Sequence, residues 1–242
     1  MNACLIGGGL KEPLLQTAME SVDSPSALII PSACSTRGAF DRKIVSVQAM
    51  FKELGVQSEI LHEFDQAPTV TELDQKFGKH EVIYTIGGNT LNLMRLLKEY
   101  GTDTYLHNAA QTNALLAGTS AGALFPFLGM FVNPSTKPEL GGWDYEIHKG
   151  LGFINAISTP HADAIEATQA ESRYERLLKI FNTSGFDFGF AIDNNAALHI
   201  TGHVASVLRS DPSANVTVIQ NTNEPQTHAL TGLLDITELL SV

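Results

Sequence analysis

The sequence predicts one α/β domain with a mainly parallel central sheet and a β-rich extension in its last third. Three observations carry this prediction. Short apolar runs bounded by Gly or Pro alternate with segments of helical periodicity, the chain has 242 residues, and 43% of them are hydrophobic against 17% charged. Strands separated by helices are typical of a parallel sheet with helices on both faces. This length and composition suit a single globular domain over residues 1–242.

Each regular element is predicted from its own residue pattern. Four apolar runs predict buried strands at 27–31, 82–86, 114–117 and 186–192. Three segments in which apolar residues recur every three to four positions predict helices at 44–54, 91–99 and 171–181. The alternation of the two kinds of element is what favours the parallel sheet.

Two later segments break this alternation. β-Rich stretches at 196–200, 204–208 and 216–220, parted by turn residues, predict an antiparallel extension on one edge of the sheet. The loop at 133–142 contains two prolines and two glycines, which oppose regular structure. We predict a mobile flap there.

Composition excludes several classes of partner. Fifteen Lys and Arg against 26 Asp and Glu give a net charge of −11, and no basic run could line phosphates, so neither nucleic acid nor a membrane surface is an expected partner. Cys4 and Cys34 lie in or beside apolar runs, as buried free thiols do in a reducing compartment. No apolar stretch approaches the roughly 18 residues of a membrane span. We expect a cytoplasmic protein and leave open whether it forms a homodimer.

The segment around Ser120 is the most informative for chemistry. An apolar strand runs into Gly118-Thr119-Ser120-Ala121-Gly122, the Gly-x-Ser-x-Gly pattern of a nucleophile elbow. A sharp strand-to-helix turn leaves no room for β-carbons beside the serine, which accounts for both glycines, and it points the hydroxyl out of the carboxyl edge of the sheet. The amide of Ala121 is then a candidate oxyanion donor. An ordinary turn with Ser120 as helix cap is the alternative.

A second glycine turn lies upstream of the elbow. Gly87 and Gly88 follow the strand predicted at 82–86 and precede a helix. Such a turn can place a backbone N–H beside the elbow, as an oxyanion hole with two donors requires. Taken alone, it is equally compatible with close packing.

His161 is the candidate base. A serine hydroxyl needs a base at neutral pH, and among the eight histidines His161 follows an apolar run and should lie at the carboxyl edge of the sheet. A structural histidine is the alternative. His199 and His203 are separated by a turn, so no metal is predicted. Gly7-Gly8-Gly9 matches no nucleotide-binding pattern and predicts only a tight turn, so no cofactor is expected.

Together these motifs resemble the S51 serine peptidases, the family of the aspartyl dipeptidase peptidase E, and the related cyanophycinases. The resemblance extends over roughly residues 3–200 and is carried, in order, by Gly87-Gly88-Asn89-Thr90, Gly118-Thr119-Ser120-Ala121-Gly122, Lys149-Gly150-Leu151-Gly152, Pro160-His161, and Arg173 with Arg176. It implies a three-layer sandwich like that of class I glutamine amidotransferases. It also implies Ser120 as nucleophile, His161 as general base, Gly88 as second oxyanion donor and Asn89 in the substrate site.

The third member of the triad is where the sequence departs from this family. The family has an acidic residue shortly after the strand that ends here at Ile192, and a gap-free match places Asn194 there, with Asp193 one position before. Either side chain can orient an imidazole, and an ionised Asp also stabilises the imidazolium. Asp193 is therefore preferred, with Asn194 as the alternative. The loop at 133–136 also lacks the Asp that the peptidase E branch carries there.

Arg173 and Arg176 are candidate substrate-binding residues. Their i,i+3 spacing puts them on one face of the predicted helix, where both can meet an acidic group. They match the stretch by which peptidase E is thought to recognise an N-terminal aspartate. A structural ion pair with Glu171 or Glu175 is an equally weighted alternative.

The expected function is that of a serine exopeptidase acting on small peptides, with N-terminal aspartate as the implied substrate. An α/β-hydrolase esterase is disfavoured because that fold orders nucleophile, acid and histidine, whereas His161 precedes residues 193–194. A cyanophycinase-like isopeptidase is an alternative within the family. A binding protein on the same fold is another, because Asn194 carries no charge.

Overall fold

Two mixed β-sheets form the centre of the fold, where the sequence predicts one. The computed structural model describes residues 1–23, 25–133, 144–166, 170–222 and 224–242. Within these ranges one sheet has eight strands, the other has six, and seven α-helices pack around them.

The larger sheet consists of β1 (Asn2–Ile6), β2 (Ser26–Ile30), β3 (Gln57–Ile60), β4 (Val82–Thr85), β5 (Leu115–Thr119), β10 (Ala196–Thr201), β11 (Val204–Arg209) and β14 (Leu234–Asp235). Their order across the sheet is β3-β2-β4-β5-β1-β10-β11-β14. The first five run parallel, and the last three are antiparallel to their neighbours. β1, β4 and β5 therefore end at one edge, and the turns that follow them lie side by side.

The smaller sheet consists of β6 (Phe127–Val132), β7 (Glu146–Lys149), β8 (Ile154–Pro160), β9 (Phe188–Ile192), β12 (Val216–Gln220) and β13 (Gln226–Ala229). Their order is β13-β12-β9-β8-β6-β7. β6, β8 and β9 run parallel, while β7, β12 and β13 pair antiparallel. β8 and β9 are neighbours and end together, which brings the residues after Pro160 and Ile192 to one place.

The helices are α1 (Glu12–Met19), α2 (Arg37–Glu53), α3 (Val70–Lys79), α4 (Thr90–Glu99), α5 (Thr102–Ala110), α6 (Ala121–Leu124) and α7 (Arg173–Phe181). Several begin at a side-chain cap that satisfies free amides of the first turn. Thr69 starts α3 and Ser172 starts α7, each in a reciprocal capping box with a glutamate three residues later. The cap at Ser172 defines where the arginine-bearing helix begins.

Side chains alternate across each central strand, so the larger sheet is buried on both faces. Cys4 and Ile6 of β1 face a core shared with α1 and α2. Ala3 and Leu5 face the opposite core, which lies against α3, α4, α5 and the inner face of the smaller sheet. α7 covers part of the outer face of the smaller sheet. The result is a layered α/β sandwich.

The predicted α/β sandwich is confirmed, and the predicted strands and helices are present. α2 begins at Arg37, earlier than predicted, because the side chain of Thr36 caps it by accepting the amide of Ala39. The C-terminal extension is partly wrong: β10 and β11 do extend the larger sheet, but β12 pairs with β9 in the smaller one. A local β-pattern does not specify the strand with which it pairs.

Three further predictions concern the flap, the two cysteines and membrane-spanning segments. The flap predicted at 133–142 lies, except for Asn133, outside the described residues. Cys4 and Cys34 are buried free thiols, and burial raises the pKa of Cys4 to about 12. No helix in the described part of the chain is long and apolar enough to cross a bilayer.

Candidate active site

Ser120 occupies a sharp turn between β5 and α6. Its φ is 56° and its ψ −121°, a strained conformation that L-residues rarely adopt outside functional sites. Its amide donates to the carbonyl of Ile6 at 2.9 Å, which ties the turn to the end of β1. α6 is a single turn, because β6 begins at Phe127. The serine nevertheless has the backbone of a nucleophile elbow.

The two glycines of the motif lie where no β-carbon fits. A β-carbon on Gly118 would lie 2.0 Å from the carbonyl oxygen of Gly122, and one on Gly122 would lie 2.0 Å from that of Thr85. Both distances are far shorter than a van der Waals contact. The elbow can therefore pack against the end of β4 only with glycine at both positions.

His161 comes from the smaller sheet, immediately after β8. Its Nε2 lies 2.9 Å from Oγ of Ser120, and its Nδ1 lies 2.6 Å from Oδ1 of Asn194. An amide oxygen only accepts, so Nδ1 carries the proton and Nε2 is left to accept from the serine hydroxyl. His161 also has a positive φ of 51°. The site thus forms where the two sheets meet, with the nucleophile on one sheet and the imidazole on the other.

The turn after β1 closes the junction between the sheets. A β-carbon on Gly8 would lie 2.3 Å from Cε1 of His161 and 2.4 Å from Oδ1 of Asn194. Gly8 also pairs with Asn194 as a parallel β-bridge. The run Gly7-Gly8-Gly9, which the sequence predicts only as a tight turn, therefore makes room for the imidazole and its partner.

Asn194 is itself held by Asp163, two residues after His161. One carboxylate oxygen, Oδ1 of Asp163, accepts the backbone amide of Asn194 at 2.8 Å and its Nδ2 at 2.9 Å. Because Nδ2 faces the carboxylate, Oδ1 of Asn194 faces the imidazole. Ser120, His161, Asn194 and Asp163 thus form one continuous chain of hydrogen bonds.

The preference for Asp193 as the residue beside the imidazole is corrected by this geometry. Asp193 pairs with Asn215 instead: its amide donates to the carbonyl at 3.0 Å, and its Oδ2 accepts the amide at 2.9 Å. Successive side chains of an extended segment point to opposite sides, so Asp193 and Asn194 cannot both face His161. Burial raises the pKa of the Asp193 carboxyl. The alternative, Asn194, occupies the orienting position.

The electrostatic surroundings keep the imidazole neutral. Burial is the largest effect and lowers the pKa of His161 below its ordinary value, while the hydrogen bond with Asn194 opposes it. Arg173 lowers the same pKa, and the carboxylates of Asp163 and Glu166 raise it. A neutral imidazole with a free Nε2 is the form that can accept a proton from a hydroxyl.

The two candidate oxyanion donors, Ala121 and Gly88, both lie near Ser120. Ala121 follows it directly, and Gly88 lines the same cavity as the serine. Within the described residues neither backbone amide donates to an acceptor. The turn that carries Gly88 is braced by the amide of Asn89, which donates to the carbonyl of Ala33 at 2.9 Å. Both amides are available to a developing negative charge.

A family model described as peptidase family S51 matches residues 5–208. That range contains the elbow, the imidazole and the asparagine. This chain belongs to peptidase family S51. The side chain beside Nδ1 of His161 is the amide of Asn194, where an acidic residue is predicted from the sequence.

Two bacterial proteins resemble this S51 chain in sequence. The uncharacterized peptidase YgaJ of Bacillus subtilis is 36% identical over 119 residues, which cover 49% of this chain and 46% of YgaJ. The uncharacterized peptidase Lmo0363 of Listeria monocytogenes is 26% identical over 153 residues, covering 62% of this chain and 71% of that protein. The chain thus matches about half the length of YgaJ.

Solved structures share the fold. A peptidase from an acI-B1 actinobacterium superposes with a TM-score of 0.68 at 17% identity, covering 97% of this chain and 96% of its own. A candidate peptidase E protein from Listeria monocytogenes gives 0.62 at 20% identity, covering 87% and 98%. These similarities establish the architecture of the S51 chain.

Arg173 and Arg176 share a face of α7, as their spacing predicts. Their guanidinium carbons lie 5.6 and 5.0 Å from the ring centre of Tyr145. Arg173 also pairs with Glu166, at 2.7 Å from Nε, and the hydroxyl of Tyr145 donates to the same carboxylate at 3.0 Å. The structural ion pair therefore exists, but with Glu166 instead of Glu171 or Glu175. Arg176 takes part in none of the ion pairs of the described residues.

Arg176 and Asn89 differ in whether their polar side-chain atoms already have hydrogen-bond partners within the protein. Nη1 of Arg176 is buried without a hydrogen-bond partner among the described residues. Asn89 caps α4, where its Oδ1 accepts the amide of Asn92 at 2.8 Å. Because Oδ1 is already used, only the Nδ2 group of Asn89 remains for a substrate contact, which stays a prediction. Arg176 therefore keeps an unpaired N–H donor that is shielded from solvent.

No metal centre emerges from the part of the chain that the structure describes. Groups of three or more His, Cys, Asp and Glu side chains in ligand geometry are absent there.

Two residues of the site escaped the sequence analysis. Gly8 sits in a glycine run without a nucleotide-binding pattern, and Asp163 is one of 26 acidic residues. The signal for Asp163 was its position two residues after His161, in the same loop. The signal for Gly8 was three glycines directly after a buried strand that neighbours the elbow strand.

Proposed function

We propose that this chain is a serine peptidase that hydrolyses small peptides by nucleophilic catalysis. The observation that carries the proposal is the line from Ser120 Oγ through His161 to Asn194, at 2.9 and 2.6 Å, with the serine on a strained elbow. A capping serine in an ordinary turn has no need of such a backbone or of an oriented imidazole.

The reaction follows from these positions. Ser120 attacks the scissile carbonyl carbon while Nε2 of His161 takes the hydroxyl proton. The amides of Gly88 and Ala121 hold the tetrahedral oxyanion. The intermediate collapses, the C–N bond breaks, and His161 gives its proton to the leaving amine. Water then attacks the acyl-enzyme while His161 takes a proton from it. The bond to Ser120 Oγ breaks, His161 returns the proton to that oxygen, and the acid product leaves.

Asn194 performs only part of the role that the acid has in a Ser-His-Asp triad. It fixes the tautomer and orientation of His161, but it brings no negative charge to the imidazolium. The charge lies one hydrogen bond farther away, on Asp163, which holds the amide at 2.9 Å. We therefore include Asp163 as a positioning residue that acts through Asn194.

The proposed substrates carry an acidic residue at the N-terminus. Arg176 supports this proposal because its guanidinium has no ion-pair partner among the described residues, and α7 is tied close to the base. The amide of Tyr174 donates to the carbonyl of Ala162 at 3.0 Å, directly after His161. A substrate carboxylate at Arg176 would accept from Nη1, which has no hydrogen-bond partner among the described residues.

A binding protein on the same fold is the second candidate, favoured by the uncharged Asn194. A cyanophycinase-like isopeptidase would differ in substrate and not in this chemistry. The two classes respond differently to a fluorophosphonate probe, because only an activated serine is phosphonylated.

The test combines labelling with hydrolysis. We expect the probe to label the wild-type protein at Ser120, located by peptide mass spectrometry, and expect no label on Ser120→Ala. The dipeptides Asp-Leu, Asn-Leu and Leu-Leu then report specificity, with Asp-Leu cleaved best. An unlabelled, well-folded wild type would favour the binding protein. Equal cleavage of Asp-Leu and Asn-Leu would remove the preference for an acidic N-terminal residue.

A further inference from the structure

A cavity of about 300 Å³ opens beside the nucleophile, on the side of the larger sheet covered by α1 and α2. The start of α1, the middle of α2, the turn after β4 and the elbow all contribute to its wall. Ser120 and Gly88 are both part of the lining. A group bound here would lie within reach of the reacting atoms.

The charged residues in this wall are all cationic. Lys11 and Lys43 line the cavity, and no Asp or Glu is among its lining residues. The chain as a whole has 26 acidic against 15 basic residues, so this charge is opposite to that of the molecule. Both lysines are half-buried, which weakens the screening of their charge by water.

Neither lysine is neutralised by the described part of the protein. None of its ion pairs includes Lys11 or Lys43. Glu12 directs its carboxylate to the backbone amide of Lys11 at 3.1 Å and is not part of the lining. Arg173 differs, because its charge is already matched by Glu166.

Lys43 is anchored next to the candidate oxyanion hole. Its Nζ donates to the carbonyl oxygen of Gly87 at 2.6 Å, which leaves two of its three N–H groups for another acceptor. That carbonyl belongs to the same peptide unit as the amide of Gly88. The carbonyl and the N–H of a trans peptide point in opposite directions, so the ammonium and the amide proposed to hold the oxyanion lie on opposite sides of one peptide unit, which lines the cavity together with Ser120.

We propose that Lys11 and Lys43 form a subsite for the C-terminal carboxylate of a dipeptide substrate, an inference that rests on the serine-peptidase function proposed above. In a dipeptide this carboxylate is two bonds from the scissile nitrogen, so it must lie close to the oxyanion donors. A longer peptide presents a neutral amide at that point. The subsite would thus select substrates by length, independently of the arginines on α7.

The test compares the dipeptide Asp-Leu with its C-terminal amide, Asp-Leu-NH2. Lys43→Met and Lys11→Met keep the length of the side chain and remove its charge. We expect each variant to lower kcat/KM for Asp-Leu by roughly 10- to 100-fold, the usual cost of a lost charged hydrogen bond. The amide should be affected by less than about threefold. Lys52→Met, on the same helix but away from the cavity, is the matched control.

Two results would overturn the subsite. If Lys43→Met slows Asp-Leu and its amide equally, the lysine supports the turn at Gly87 or binds another part of the substrate. If neither lysine variant changes either rate, no carboxylate binds there. Lys43→Arg, which restores the charge, should recover most of the Asp-Leu activity, and thermal melting checks that each variant folds.

Failure of the subsite is separable from failure of the peptidase proposal. Fluorophosphonate labelling of Ser120 needs no substrate carboxylate, so it reports the nucleophile alone. Calorimetric binding of Asp-Leu and Asp-Leu-NH2 to Ser120→Ala, with and without Lys43→Met, reports the subsite without turnover. We expect tighter binding of the free dipeptide, lost in the double variant, and equal binding of both ligands would refute the subsite.

Discussion

Two serine–histidine pairs in this protein have nearly the same hydrogen-bond geometry but very different surroundings. Ser120 Oγ lies 2.9 Å from Nε2 of His161, and Ser32 Oγ lies 3.0 Å from Nε2 of His62. In each pair Nδ1 donates to a carbonyl-type oxygen, a side-chain amide in the first and a backbone carbonyl in the second. Burial lowers the pKa of both imidazoles.

What separates the pairs is access and backbone geometry. Ser32 is 1% exposed and His62 is 7% exposed, and Ser32 has no positive φ. Ser120 stands on a strained elbow, lines a cavity and has unengaged amides beside it. A serine–histidine hydrogen bond with a low imidazole pKa is therefore insufficient to identify a catalytic centre. An open site with oriented donors is the distinguishing feature.

The largest effect on activity is expected from removing the serine of the first pair, Ser120 and His161. Ser120→Ala should lower kcat on the order of 10⁶-fold, by analogy with loss of the nucleophile in subtilisin, while the melting temperature stays close to that of the wild type. Initial rates with Asp-Leu measure the loss, and far-ultraviolet circular dichroism follows melting. Retention of more than about a hundredth of the activity would remove Ser120 from its role.

The next effect concerns the residue that orients His161. Asn194→Ala removes the acceptor of Nδ1–H, and we expect a loss in kcat on the order of 10²- to 10⁴-fold, bounded above by the effect of altering the acid in serine proteases. Asp193→Asn is the matched control, because Asp193 contacts Asn215, and it should change kcat by less than about threefold. A reversed order of effects, measured on folded variants, would restore Asp193 as the orienting residue.

A smaller effect is expected from Asp163, which supplies charge through Asn194. Asp163→Asn should lower kcat roughly 10- to 100-fold, by analogy with the partners that orient metal-bound histidines. Asp163 also raises the pKa of His161, so its removal should lower that pKa further. On the acid side of the pH profile, kcat/KM falls as His161 becomes protonated. In the wild type this acid limb should lie below the ordinary imidazole pKa near 6.5.

The pH profile therefore distinguishes a charge effect from a packing effect. In Asp163→Asn the acid limb should move to lower pH, whereas a purely structural loss would reduce the plateau and leave the limb in place. The double variant Asp163→Asn/Asn194→Asp moves the negative charge to the side chain that contacts the imidazole and should recover part of kcat. An unmoved limb together with no recovery would contradict the role of Asp163.

The smallest effect on activity is expected at the second pair. Ser32→Ala leaves Nε2 of His62 without its partner, which should reduce the free energy of unfolding by about 1–3 kcal/mol, while kcat changes by less than about twofold. Urea unfolding and initial rates measure the two quantities. A loss of activity comparable to that of Ser120→Ala, without unfolding, would show that the comparison between the pairs is wrong.

Acidification should affect this pair through stability. Burial lowers the pKa of His62 in the folded state, so below the ordinary value near 6.5 the unfolded chain binds more protons than the folded one. Stability should therefore fall as pH drops through that range. His62→Gln should show a shallower fall in urea unfolding between pH 7.5 and 5.5.

Local pattern was sufficient for much of the site. The glycines around Ser120 predicted the elbow, because the clash of a β-carbon on Gly118 with the carbonyl of Gly122 is local to the strand-to-helix connection. The apolar run before His161 predicted a strand end. The i,i+3 spacing of Arg173 and Arg176 predicted their common face, which both show by packing over Tyr145.

Local residue patterns could not predict the contacts between segments that are distant in the sequence. The choice between Asp193 and Asn194 depends on which side of the chain faces His161, and the pairing of Gly8 with Asn194 sets that side. The partner of Arg173 is Glu166 because the loop after β8 folds back onto α7. Neither relation has a signature in the spacing of the residues.

Periodicity, glycine sterics and strand ends act over a few neighbouring residues, so the α/β class, the elbow at Ser120 and the candidate base could be predicted from the residue pattern. The meeting of the two sheets at the site, the contact of Asn194 with His161 and the hydrogen bonds from Asn194 to Asp163 depend on the three-dimensional fold. Pairing between strands that are far apart in the chain sets the direction of each side chain, and a shift of one residue turns a carboxylate from the imidazole to the opposite side.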